Sequence, residues 1–309
     1  MDRRLVLAHG AALAAACLPL RAAPLIAQKP SARVIVDNDF AGDPDGLFAL
    51  AHQWLSPTTK TVLVTTTALD AKLAAMAKEP AGRTAAKGRD AALELARVAR
   101  ISPCPVVTGA ETFGASDAQV SVAARAIVAE ALRDDPMPLF LTCGGPLTNV
   151  AAALRLAPQI AARMTVIWIG GSITQDGEPE YNFATDAAAA RAVLAHPSLP
   201  LWVAPRETYR QLAVSVAELG AELRPASPLG RWLYERYLKL PPFVQLGPTV
   251  TLGDSALVHA AVLNRATPTH RARLEEAGRE LPVVDRIDNR ALLADLLAKL
   301  RLNATSTQP

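Results

Sequence analysis

Aromatic side chains are scarce. The 309 residues hold 6 Phe, 4 Trp and 4 Tyr, too few for a surface that binds nucleic acid by stacking bases on rings. Three cysteines rule out a disulfide scaffold. Glycine and proline, at 17 and 24 residues, fall far short of collagen-like or low-complexity composition. Charge of one sign is not in excess either: 32 Lys and Arg face 29 Asp and Glu, a formal net charge of +3. What remains is 50% hydrophobic and 20% charged, which excludes global disorder. The length suits one large α/β domain or two small ones.

Residues 1–28 read as an export signal. Met1-Asp-Arg-Arg is a charged start, Leu5 to Leu20 is an Ala- and Leu-rich run, and Pro19, Arg21 and Pro24 end it. The run, broken by His9 and Gly10, is shorter than the about 20 apolar residues of a membrane span. Arg3-Arg4 resembles a twin-arginine signal, with Sec export left open. Ala14-Ala-Ala-Cys17 is a poor lipobox. Removing this segment takes away three arginines and one aspartate, so +3 falls to +1. A near-neutral mature chain withdraws the electrostatic support for a nucleic-acid or anionic-membrane partner. The expected location is periplasmic or secreted, and residues 29–309 are expected to form one domain. Cys104 and Cys143 fall at opposite ends of two strands, too far apart for a disulfide.

Short apolar runs alternate with helical patterns. The runs are Val34–Asp37, Thr61–Thr66, Pro105–Thr108, Leu139–Thr142, Thr165–Ile169, Leu201–Ala204 and Pro282–Asp285. Helical stretches are expected at Leu47–Leu55, Ala91–Val98, Ser121–Leu132, Asn149–Leu156, Asp186–Ala195, Gly230–Leu240 and Asp288–Leu300, with a frayed tail from Thr305 to Pro309. Continuous apolar runs suit strands buried on both faces. The β-α-β order predicts an α/β fold with an open, mostly parallel, doubly wound (Rossmann-like) sheet. Ligands then belong at the carboxyl ends of the strands.

Four such ends carry chemistry. The first is Asp37-Asn-Asp39-Phe-Ala-Gly-Asp43-Pro-Asp45-Gly46. Carboxylates this crowded raise one another's pKa unless a cation sits among them. No Lys or Arg is near in sequence, so a hard divalent cation, Ca²⁺ or Mg²⁺, is the expected counter-charge. The fourth run ends in Thr142-Cys-Gly-Gly-Pro-Leu-Thr148-Asn149, where Thr148 or Asn149 is placed to cap a helix. The fifth ends in Gly170-Gly171-Ser172, followed by Glu180-Tyr-Asn182, an acid and an amide suited to a polyhydroxyl ligand. Near the C-terminus, Gly253-Asp254 precedes an apolar helix, with Asp254 a helix cap or a metal ligand.

Together these elements resemble the nucleoside hydrolase family, inosine–uridine-preferring type, from about Arg33 to the last strand. The acidic loop resembles its signature, Gly145-Pro-Leu-Thr-Asn149 its central motif, and Glu180-Tyr-Asn182 its ribose motif. The resemblance implies Ca²⁺-dependent hydrolysis of a ribonucleoside into ribose and free base. It implies that Asp39 takes a proton from a metal-bound water, and that Asp39, Asp45, Asp254 and the carbonyl of Gly144 hold the ion. It implies that Asp43, Glu180 and Asn182 hold the ribose hydroxyls, with Asp37 and Asn149 supporting the loop. The partner is then a small molecule, and a homo-oligomer is compatible with it.

Two positions depart from the pattern. The family usually has adjacent aspartates where this chain reads Asp43-Pro-Asp45-Gly46. Either Asp43 meets the ribose and Asp45 the metal, which is preferred, or Asp45 meets the ribose and Gly46 leaves a ligand out. Many members also carry a His where this chain has Gly253, which puts protonation of the leaving base in doubt. Tyr234, Tyr237 and Phe243 are placed either to line a base pocket or to pack within a helix. A haloacid-dehalogenase-type phosphatase would use Asp37, Asp39, Thr142 and Asp254, yet expects Thr or Val at Ala41 and gives no reason for Asp43 and Asp45. An exported binding protein on the same scaffold would account for Gly46 and Gly253.

Overall fold

The computed structural model describes residues 28–80, 82–114, 120–174, 177–241, 244–274 and 277–306. The signal segment therefore lies outside the described residues up to position 27, as do Phe243 and positions 307–309. Six strands form the main sheet: β1 (Arg33–Asn38), β2 (Lys60–Thr66), β3 (Val106–Thr108), β4 (Leu139–Cys143), β5 (Thr165–Ile169) and β6 (Leu201–Ala204). Their order is β3-β2-β1-β4-β5-β6, and every pairing is parallel. The chain winds outward from β1 through β3, then returns to the other side of β1 with β4. That reversal opens a crevice at the carboxyl ends of β1 and β4, where doubly wound sheets bind ligands.

Alternation along each strand feeds both faces. Ile35, Leu141, Val166 and Trp168 pack on one side, beneath the helices Val122–Leu132, Thr148–Leu156 and Ala187–Leu194. Val34, Val36 and Val64 pack on the other, under Asp45–Trp54, Thr84–Ala99, Pro228–Tyr237 and Asn289–Ser306. Ile167, Ile169 and Trp202 close the far end of that face with Ala256, Leu257 and Val258. Each fully buried large side chain contributes about 1.5–3 kcal/mol, so this two-sided burial holds the crevice residues at fixed positions. Among the described residues no helix is long and apolar enough to cross a membrane.

Three expectations need correction. The run Pro282–Asp285 does not become a seventh strand of the main sheet. Glu280–Pro282 pairs antiparallel with Arg271–Arg273, and only Val283 bridges to Val203 of β6. Pro282 has no N–H to give to a ladder. The helix expected at Ala91–Val98 runs from Thr84 to Ala99, because Glu111 accepts from the backbone N–H of Ala85 and Ala86 at 3.0 and 2.8 Å. Of the expected frayed tail, Thr305 and Ser306 belong to the last helix, and positions 307–309 lie outside the described residues. Cys104 and Cys143 are both free thiols, as the strand placement requires.

Candidate active site

Asp37 is the base of the crevice. It is fully buried on β1, and burial raises its pKa. Thr65 donates to its Oδ1 at 2.6 Å, Asn149 Nδ2 donates to the same oxygen at 2.9 Å, and the Cys143 thiol approaches Oδ2 at 3.6 Å. Asn149 also donates to the carbonyl of Thr66 at 3.0 Å and accepts from Ala110 N and Ser121 Oγ, both at 3.1 Å. One amide thus joins β1, β2, the chain after β3 and the helix after β4. Asp37 and Asn149, two residues the sequence marks as supporting, are thus bonded to each other. Neither Thr148 nor Asn149 caps its helix; Thr148 instead donates to Asp186 at 2.7 Å.

Above this base the acids crowd. The carboxyl of Asp39 is pushed up to about 8 by burial and by the charges of Asp45, Asp43 and Asp37. Asp45 is raised by burial and by Asp254 and Asp43. Asp254 is raised by burial and by Asp39, Asp43 and Glu180. Asp43 opens to solvent at the rim and is pushed up to about 6 by the protein around it. The predicted acids from three separate chain segments therefore share one electrostatic site.

The expected sugar-binding residues join the ends of β4 and β5. Glu180 is raised by burial. Its Oε2 accepts from the N–H of Gly171 and Phe183, both at 3.0 Å, and its Oε1 accepts from the Tyr209 hydroxyl at 3.0 Å. Asn182 Nδ2 donates to the carbonyls of Gly144 and Ile169 at 3.2 and 2.9 Å. Both of its amide hydrogens are therefore committed to the backbone, and only its oxygen is left for a sugar hydroxyl.

The donor set does not fit a resident calcium ion. Calcium takes six to eight oxygen ligands, waters among them, and no N–H donor can serve as one. Asn38, fully buried beside Asp39, points an N–H donor there instead: its Nδ2 donates to Asp254 Oδ2 at 2.8 Å. The carbonyl of Gly144 is engaged by Asn182, and Asp45 Oδ2 accepts from the backbone N–H of Asp254 at 3.0 Å. Among the described residues no three His, Cys, Asp or Glu side chains converge closely enough to hold a metal ion. Asp254 does not cap its helix through its side chain.

Several contributors escaped the sequence. Asn38 sits between two aspartates, and a polar residue at the end of a buried strand is the signal that marks it. Tyr209 follows β6, so the strand-end rule applied to every strand finds it. A Cβ on Gly253 would stand 3.3 Å from the Tyr209 ring and 3.3 Å from Asp45 Oδ2. Tyr181 donates its hydroxyl to Asp70 at 2.8 Å, and its phenol feels the charge of Asp39. Tyr237 is buried against Phe48, ring centres 5.4 Å apart, while Tyr234 lies under Arg224.

A model of the inosine-uridine preferring nucleoside hydrolase family matches residues 34–283. No curated protein matches the chain in sequence. Solved structures share the fold. An inosine-uridine preferring nucleoside hydrolase from Bacillus anthracis is 15% identical, with a TM-score of 0.67 over 87% of this chain and 99% of its own. An inosine-guanosine nucleoside hydrolase is 16% identical, at 0.66 over 87% and 98%. A purine-preferring ribonucleoside hydrolase from Gardnerella vaginalis is 17% identical, at 0.63 over 89% and 100%.

Proposed function

The chain belongs to the inosine-uridine preferring nucleoside hydrolase family, enzymes that hydrolyse N-ribosyl bonds, and from that membership we propose that it cleaves ribonucleosides with Asp39 as general base. The observation that carries this reading is the shared site of Asp39, Asp43, Asp45, Asp254 and Glu180, in which each acid's pKa is raised. The substrate is a ribonucleoside, and the products are ribose and free base.

Breaking the N-glycosidic bond builds positive charge on the sugar. Burial raises the energy of each ionised carboxylate, and at Asp39, Asp45 and Asp254 repulsion from the neighbouring acids adds to it. A developing oxocarbenium ion relieves that repulsion, so the site favours the transition state over the neutral substrate. Asp39, at about 8, is ionised in mild alkali and basic enough to take a proton from the attacking water. Glu180 Oε1, shared with Tyr209, and Asp43 at the rim hold ribose hydroxyls, with the Asn182 oxygen beside them. Asp37 and Asn149 fix the loop from below. No step is assigned to calcium, because the Asn38 donor does not fit one.

Family membership leaves the phosphatase reading without support. The export signal read in residues 1–28 supports a periplasmic or secreted enzyme that handles extracellular nucleosides. Fractionation of the full-length protein tests this, and retention in the cytoplasm contradicts it. The catalytic reading is tested by reducing-sugar release from inosine, uridine and a nitrophenyl riboside. Binding without release would instead support a non-catalytic nucleoside binder.

A further inference from the structure

The geometry points to the Asn38 amide as the internal counter-group of Asp254, standing where a divalent cation would otherwise close the acid cluster. The inference rests on the hydrolase reading only in one consequence, that hydrolysis proceeds without a bound metal.

Four observations carry it. Asn38 is 1% exposed, and its Nδ2 donates to Asp254 Oδ2 at 2.8 Å across 216 positions of sequence. The cradle around that amide is built from missing side chains. A Cβ on Gly144 would lie 2.4 Å from Asn38 Nδ2 and 2.7 Å from Asp254 Oδ2. A Cβ on Gly46 would lie 2.9 Å from Asn38 Oδ1 and 3.1 Å from Asp254 Oδ2. A side chain at position 144 would displace the amide or the carboxylate, and one at position 46 would press on both, so glycine at these two positions leaves the room that the Asn38–Asp254 bond occupies. Finally, Gly46 is the residue whose side chain would project at the Asp254 carboxylate, whereas Asp45 is turned to the backbone N–H of Asp254. A carboxylate at position 46 would face Asp254, and glycine there offers no side-chain oxygen.

The chemistry is consistent. A divalent cation supplies charge to several carboxylates at once. An amide supplies one N–H to one carboxylate and leaves the rest of the repulsion in place. Asn38 Oδ1 is buried beside Gly46 and has no hydrogen-bond partner in the protein.

The test reads metal binding, not turnover. The full-length protein is freed of metal with chelator, and its melting temperature is followed with and without millimolar Ca²⁺. A ligand present far above its Kd raises the melting temperature by several degrees. The wild type is expected to melt at the same temperature in both conditions, and a clear rise with Ca²⁺ overturns the inference. The near-isosteric Asn38→Asp variant exchanges the donor for lone pairs. It is expected to melt lower in chelator and to recover with Ca²⁺. A folded Asn38→Asp protein indifferent to Ca²⁺ overturns the assignment of that place to Asn38. Absence of nucleoside turnover in every condition would remove the hydrolase reading and leave the melting result standing.

Discussion

Asn38 Nδ2 and Asp254 Oδ2 lie 2.8 Å apart, one at the carboxyl end of β1 and the other at the start of a helix near the C-terminus. This bond closes the crevice between the first and last thirds of the chain. It also divides the site in two: a supporting lattice below, built on Asp37 and Asn149, and a crowded set of acids above.

Asp39→Asn removes the proposed base and keeps the shape. Turnover should fall by about 10²–10⁴, with nucleoside affinity retained. Steady-state kinetics with inosine, beside equilibrium binding, checks both halves of the expectation.

The rate should rise with pH. Asp39 must be ionised to accept a proton, and its carboxyl is held to about 8. kcat/KM is therefore expected to climb through about pH 8 and then level, and a profile already flat from pH 5 upward contradicts the role.

Stability should move the other way. Asp39 and Asp43 have folded-state pKa values of about 8 and about 6, above the 3.8 of the free side chain, so the folded protein binds protons more tightly than the unfolded chain. Their contribution is fully present below pH 3.8 and is lost as pH rises through 6 and then 8. Calorimetry is expected to show a higher melting temperature at pH 5 than at pH 8.5. A higher value at pH 8.5 contradicts it.

Tyr209→Phe deletes the hydroxyl that donates to Glu180 Oε1. A lost hydrogen bond to a charged group is worth about 1.5–3 kcal/mol, so KM for a ribonucleoside should rise tenfold or more while kcat changes less. The fold should be unaffected, because the tyrosine ring remains beside Gly253.

Asn149→Ala strips Asp37 of one donor and leaves the carbonyl of Thr66 without its side-chain partner. Buried groups left unpaired cost about 1–3 kcal/mol each. Denaturant unfolding should show a loss of that order, with activity reduced in proportion to misplacement of the acidic loop.

Much of the architecture is legible in the chain. Continuous apolar runs such as Val34–Asp37 and Thr165–Ile169 reveal two-faced strands, and the six parallel strands follow them closely. The local pattern fails where a distant residue decides. Glu111 extends the Thr84–Ala99 helix from outside it. Pro282 hands its segment to Arg271–Arg273 rather than to the main sheet. The acids of the site are equally legible, because carboxylates at strand ends stand out. Asn38 is not, since nothing in Asp-Asn-Asp says which way the amide points. Its partner lies 216 residues away, and only the assembled crevice shows a donor where lone pairs were expected.

The most direct test is ribose release from inosine and uridine by the purified protein, wild type beside Asp39→Asn, with folded state confirmed for both. Time-dependent release by the wild type, lowered at least about 100-fold in the variant, is the predicted result. Equal release by both proteins, or none by a folded wild type, would contradict it.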